Sequence, residues 1–387
     1  MMDRPEAVRK PGEKMVFRVS LTEDSTPVSG KKLKWERTGD DGKKQSGEAV
    51  SASEPLLIET SIESPGFTRV IVTALGDDGN PIKDEKGKEI KFEGGAGCEL
   101  GKLESVPEPK DFDAFWARQK EKLAKVPVKA TLAEVPSKSP DIQVFDMRID
   151  CAGGKPVSGY LCKPKDAAPK SLPALVSFRG YGVGSASPVP QPGKITLQIN
   201  AHGIENGREP EYYKKLQDGE LKGYAFSKEE NSDPEKSYFN GMMLRVMRAL
   251  EYVKSLPEWD GKNLAVSGGS QGGLQSLTAA GLDSSVTQCV AGKPWCCDLG
   301  GVTLGRLKGW RPDWTEALGY YDPVNHAKRI KCETIISSGL GDYVCPPSGL
   351  TVLYNNIKAP KKIDYIQGST HGYDPPNPQK FTLKSSL

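Results

Sequence analysis

The chain has 387 residues, 36% hydrophobic and 27% charged, enough for one large domain or two ordinary ones with a sizeable core. Its 53 basic and 50 acidic residues nearly cancel to +3, so the charge predicts neither a nucleic-acid partner nor an anionic-membrane surface. No apolar run approaches the roughly 18 residues of a membrane span, and Met1 to Lys14 is too charged to be a signal peptide as it stands. Two compartments are left open: a secreted or periplasmic mature chain whose leader is absent, and the cytoplasm.

Residues 15 to about 100 read as β-structure. Phe17, Val19 and Leu21 alternate, as do Leu33 and Trp35, and Val70, Val72 and Ala74, with turn residues between these runs. Short strands at this spacing predict an immunoglobulin-like β-sandwich over residues 1–103. The expected role is accessory, with exposed aromatics such as Trp35 as the alternative, a carbohydrate contact. The catalytic domain is expected over 104–387. Asp111 reads as a helix N-cap, followed by Phe112, Phe115, Trp116, Gln119 and Leu123 at helical spacing.

From about residue 140 strands and helices alternate, which predicts a mostly parallel sheet with helices on both faces. Val144 to Ile149 and Val157 to Cys162 form a hairpin, and Leu172 to Phe178 and Ile195 to Ile199 are apolar strands. Glu205 to Lys236 reads as a mobile loop or rim. A helix with Phe239, Met242, Met243, Val246, Leu250 and Val253 on one face must stop before Pro257. Later strands fall near Val286 to Val290, Thr334 to Ser338 and Lys362 to Ile366, the last of the sheet, with a helix after Pro346-Pro347. The eight cysteines have no metal-ligand spacing and read as buried thiols.

Gly268-Gly269-Ser270-Gln271-Gly272-Gly273 follows the strand Leu264-Ala265-Val266 and opens a small-residue helix. A serine at such an elbow is held strained and exposed, and glycines on either side let the strand and helix approach closely. Ser270 is the expected nucleophile. A serine hydroxyl needs a base, and in the α/β-hydrolase fold the order is serine, acid, histidine. His371, in a loop after the last expected strand, is the predicted base; His202 is kept as an alternative and His326 reads as structural. Asp342, after the Thr334–Ser338 strand, is the predicted acid. The amides of Gln271 and of Tyr181, in the turn Arg179-Gly180-Tyr181-Gly182, are the expected oxyanion donors.

These residues resemble the acetyl xylan esterase and cephalosporin-C deacetylase group, carbohydrate esterase family 7, over roughly Pro107 to His371. The resemblance rests on Asp111-Phe112-Asp113-Ala114-Phe115-Trp116, Gly180-Tyr181-Gly182, Gly269-Ser270-Gln271-Gly272-Gly273, Tyr321-Asp322-Pro323-Val324-Asn325, Gly341-Asp342-Tyr343-Val344-Cys345-Pro346-Pro347-Ser348 and His371-Gly372. It implies removal of acetyl groups from sugar hydroxyls by Ser270, Asp342 and His371, with no metal or cofactor, and with Cys345 structural. The chain departs from the family at Arg179, where His is frequent, and at Ala201-His202-Gly203-Ile204, where Arg-Gly-x-Gly is common. Arg179 and His202 at these departures, together with Trp295, are the candidates for substrate contact. Homo-oligomer formation is left open. A prolyl-oligopeptidase-type peptidase and a catalytically dead sugar-binding protein are the alternatives.

Overall fold

The computed structural model describes residues 1–4 and 6–385. Among the described residues nine strands come before residue 100: β1 (Val8–Arg9), β2 (Met15–Val19), β3 (Thr22–Glu23), β4 (Thr26–Pro27), β5 (Lys32–Gly39), β6 (Gln45–Val50), β7 (Leu56–Thr60), β8 (Gly66–Leu75) and β9 (Lys91–Cys98). Five form one sheet in the order β1-β9-β8-β5-β6, while β2 pairs with β7 and β3 with β4. Met15, Phe17 and Val19 of β2 and Val70, Val72 and Ala74 of β8 are buried at alternate positions, as the period-2 pattern requires. Thr68 Oγ1 of β8 meets Met15 Sδ at 3.6 Å, so the β2–β7 pair lies against the five-stranded sheet. Trp35 is not an exposed platform. Its half-buried ring covers Gly47, where an added Cβ would sit 2.7 Å from the indole.

The second sheet has ten strands. In chain order they are β10 (Ala130–Val135), β11 (Ile142–Ile149), β12 (Val157–Pro164), β13 (Leu172–Phe178), β14 (Ile195–Ile199), β15 (Trp259–Gly269), β16 (Gln288–Gly292), β17 (Glu333–Gly339), β18 (Lys361–Ile366) and β19 (Lys380–Ser385). Their order is β10-β11-β12-β14-β13-β15-β16-β17-β18-β19. The six from β14 to β18 are parallel, and antiparallel strands extend both edges. This is the α/β-hydrolase arrangement. Two edge strands lay outside the sequence reading, β10 and β19, so Lys361–Ile366 is the last parallel strand but not the last of the sheet.

Among the described residues six α-helices accompany the strands: α1 (Phe112–Ala124), α2 (Pro210–Asp218), α3 (Tyr238–Ser255), α4 (Gln271–Leu282), α5 (Pro323–Ala327) and α6 (Pro347–Asn356). The apolar stripes of α1 and α3 are buried, and α3 ends at Ser255, its C-cap Leu256 being the residue before Pro257. Asp111 stands at the N-cap position of α1 without making a side-chain cap; it instead receives hydrogen bonds from Arg118 and the Tyr320 hydroxyl. The expected Glu205–Lys236 rim is more ordered than predicted, since it contains α2 and packs Tyr224 and Ala225 into the core. All eight cysteines are unpaired, seven of them buried.

The two sheets meet at the end of β17. A Cβ on Gly341 would lie 2.2 Å from Glu93 O, and one on Gly95 would lie 2.8 Å from Leu340 O. Backbone thus packs on backbone where the chain turns toward Asp342. Nearby, the Gln367 carboxamide accepts from Gly95 N–H at 3.0 Å and donates to Gly95 O at 2.9 Å.

Candidate active site

Register brings the site together. Phe178, the last residue of β13, pairs with Gly268 of β15, so the turns carrying Arg179-Gly180 and Gly269-Ser270 leave adjacent parallel strands side by side. This is where the strand order reverses, the usual crevice of an open α/β sheet. Ser270 has φ 54 and ψ −120, a conformation costly for a residue with a side chain. Its N–H donates to Gly292 O at 2.8 Å, and its carbonyl accepts from Trp295 N–H at 3.0 Å. The flanking glycines are steric requirements: a Cβ on Gly268 would lie 2.5 Å from the Gly272 carbonyl carbon, and one on Gly272 would lie 2.2 Å from Phe178 O.

Gly339 of β17 pairs with Ile366 of β18, and Asp342 and His371 follow those strand ends. His371 Nε2 lies 3.0 Å from Ser270 Oγ, and His371 Nδ1 lies 2.9 Å from Asp342 Oδ2. The other Asp342 oxygen accepts from the N–H groups of Val344 and Cys345, both at 3.0 Å. The carboxylate is fully buried, whereas His371 keeps 29% of its side-chain surface open. The His371 loop is fastened by Lys293, whose ammonium donates to Thr370 O at 2.7 Å and pairs with Asp374 at 2.8 Å.

Gln271 opens α4, and the N–H of a first helical residue has no acceptor within its own helix. A Cβ on Gly180 would fall 4.0 Å from Ser270 Cβ, which shows how closely the 179–182 turn approaches the serine. Tyr224 joins the two sides: its hydroxyl accepts from Gly182 N–H at 2.8 Å and donates to Gln271 Oε1 at 3.0 Å. The Tyr181 ring stacks on Tyr224 with centroids 4.1 Å apart and meets Trp310 and Trp295 edge to face. Sequence reading missed Tyr224 and Trp310, both of which come from irregular segments.

The three candidates for substrate contact occupy different positions. Arg179 is exposed beside the cleft turn. His202 is buried and stands behind that turn, donating from Nε2 to Gly182 O at 3.1 Å and accepting at Nδ1 from the Tyr238 hydroxyl at 2.7 Å. Burial holds its pKa down to about 4, so it is neutral in the fold. With both ring nitrogens engaged, it supports the turn and is not free to meet a ligand. Trp295 is also buried, with its indole N–H donating to Trp310 O at 2.6 Å. His326 packs against Phe112 and Trp116, fully buried.

Among the described residues, Asp342, Cys345 and His371 place potential metal-ligating atoms within 4.8 Å of one another, but two of the three are committed to the serine–histidine–aspartate chain. A cavity of about 980 Å³ lies beside the site, between Lys88–Glu93 and the 367–379 segment, with Thr370 and Gly372 on its wall.

A strained serine between strand and helix, in a hydrogen-bonded chain with a histidine and a buried aspartate, is the arrangement by which the α/β-hydrolase fold activates a serine. The acetyl xylan esterase (AXE1) family model matches residues 102–305 and 312–384, and the chain belongs to that family. It is 32% identical over 274 residues to acetyl esterase Axe7A of Xylanibacter ruminicola, covering 66% of this chain and 61% of the relative. The chain therefore spans less than two thirds of the length of that curated relative. An acetyl xylan esterase from Paenibacillus sp. R4 superposes with a TM-score of 0.59 at 27% identity, over 70% of this chain and 93% of that one. Acetyl xylan esterase 1 from Thermoanaerobacterium sp. JW/SL YS485 gives 0.58 at 25%, over 70% and 92%.

Proposed function

We propose that the protein is a serine esterase that removes O-acetyl groups from acetylated sugars such as acetylxylan or its oligosaccharides. The observation that carries this reading is the chain of 3.0 and 2.9 Å contacts from Ser270 through His371 to Asp342, within a segment matched to the acetyl xylan esterase family. Ser270 Oγ attacks the acetyl carbonyl while His371 Nε2 takes its proton. The amides of Tyr181 and Gln271 hold the oxyanion, and buried Asp342 stabilises the imidazolium. His371 then protonates the departing sugar oxygen. Water, deprotonated by the same nitrogen, releases acetate from the acetyl-serine.

In this reading residues 1–103 are an accessory β-domain and 104–387 the catalytic domain, and acetylated glycan is met outside the cell or in the periplasm. Among the described residues no helix is long and apolar enough to cross a membrane. The test is acetate release from acetylated xylo-oligosaccharides by the wild type and Ser270→Ala, beside cleavage of a proline-containing peptide. We expect release by the wild type alone and an uncut peptide; peptide cleavage without acetate release would reverse the reading.

A further inference from the structure

Residues 306–311 fall in the gap between the two family-matched segments, and the β-strands before residue 100 precede the first. These two parts touch. Asp40, in the turn after β5, accepts from Leu307 N–H at 3.0 Å through one carboxylate oxygen and from Phe67 N–H at 2.8 Å through the other. Three residues further on, Trp310 N–H donates to Val344 O at 3.0 Å, beside the Asp342 turn. Gly309, between them, has φ +70, and a Cβ there would lie 2.6 Å from Pro346. The loop is therefore clamped at both ends, one clamp coming from the N-terminal strands.

The clamped loop presents Trp310. Trp310 as a residue is 44% exposed, far more than Trp295, on which its ring stacks at 5.6 Å. It also lies 4.8 Å edge to face from the ring of Tyr181, whose turn abuts Ser270. A large aromatic side chain partly open to solvent, braced by buried Trp295 and by Tyr181, whose turn abuts Ser270, suits a flat, weakly polar ligand group. A pyranose ring has such a face in its axial C–H bonds, and aromatic surfaces take it up without desolvating hydroxyls.

Building on the esterase reading, we propose that Trp310 is the stacking platform for the sugar ring of the ester, and that Asp40 of the N-terminal β-unit holds this platform in place. Trp310 makes the discriminating contact; Asp40 is a positioning residue acting through it. The platform selects the alcohol half of the ester and leaves the acetyl chemistry to the serine.

The experiment compares kcat/KM for a monoacetylated methyl xyloside with that for ethyl acetate, whose alcohol has no ring to stack. We expect Trp310→Ala to lower the ratio of the two values roughly 5- to 10-fold, and Trp310→Phe to keep most of it. Asp40→Ala should lower the ratio several-fold and add little in the Trp310→Ala background, because the two act in series. An unchanged ratio in Trp310→Ala overturns the platform, and independent, multiplying effects overturn the role of Asp40. Wild-type enzyme that hydrolyses ethyl acetate but not the xyloside would overturn the substrate reading and the platform together, a result distinct from both.

Discussion

The Tyr224 hydroxyl donates to Gln271 Oε1 at 3.0 Å and so ties a distant loop to the residue after the nucleophile. The same oxygen accepts from Gly182 N–H, which makes one phenol the brace between the two walls of the expected oxyanion hole. Burial pushes its pKa well above the ordinary tyrosine value, so it stays protonated and able to donate. Tyr224→Phe keeps the ring stack on Tyr181 but leaves the Gly182 N–H and the buried Gln271 carboxamide oxygen without their partner. We expect a loss of about 1–3 kcal/mol in urea unfolding. We also expect kcat to fall roughly tenfold with little change in KM, a fraction of the 10²–10³ that a missing oxyanion donor typically costs. Stopped-assay kinetics on an acetyl ester would check it; a loss confined to KM would place Tyr224 in substrate binding instead.

Asp342→Asn tests the acid more sharply than truncation. The two N–H groups of Val344 and Cys345 would hold the asparagine carbonyl where Oδ1 is now, turning its NH₂ toward His371 Nδ1. The imidazole must then carry its proton on Nε2, where it cannot accept from Ser270. Activity should drop by about 10⁴ while the fold persists. Near-wild-type turnover by a folded Asn variant would remove Asp342 from the mechanism.

The elbow glycines make a prediction about the fold and the site at once. In Gly272→Ala the new methyl would stand 2.2 Å from Phe178 O and 3.1 Å from Arg179 O, both backbone atoms that cannot swing aside. Either α4 moves away from β13 or the 179–182 turn shifts, and each parts Gln271 from Tyr181. We expect a loss of about 1–3 kcal/mol and activity reduced beyond that loss, measured as specific activity of the folded fraction. A variant of wild-type activity would show that the turn tolerates the shift.

What could be read from the sequence follows the same physics. The elbow was visible because backbone crowding at Gly268 and Gly272 demands glycine, which leaves a local signature. Asp342 and His371 were visible because each follows the end of an apolar parallel strand. Strand β10 was not, since its four central residues are all exposed and carry no alternation, and α2 fully buries no residue, its short apolar face of Tyr212, Tyr213 and Leu216 being only half-buried. Tyr224, Trp310 and Asp40 act through contacts with residues far along the chain, and no spacing rule connects Asp40 to Leu307. His202 was misleading for the same reason: it follows a strand near the cleft, but only the fold shows that it faces Gly182 O and Tyr238.

His202 and His326 also set a pH limit on stability. Burial is the leading cause for both, holding His202 near pKa 4 and His326 near 3, against 6.5 for an ordinary histidine. Below pH 6.5 the unfolded chain takes up protons that the folded chain refuses. Unfolding is then favoured progressively as pH falls from 6.5 toward the folded values. Between pH 7 and 5 each histidine should remove on the order of 2 kcal/mol. Urea unfolding at pH 7, 6 and 5 measures the trend, and His326→Asn, whatever it costs at pH 7, should lose less than the wild type on acidification. Buried Asp322, its pKa raised by that burial to about 7, takes up a proton in the fold over the same range and opposes the histidine slope. The comparison of His326→Asn with the wild type therefore isolates the ring; a variant that keeps the full wild-type slope without His326 would mean that other groups take up those protons.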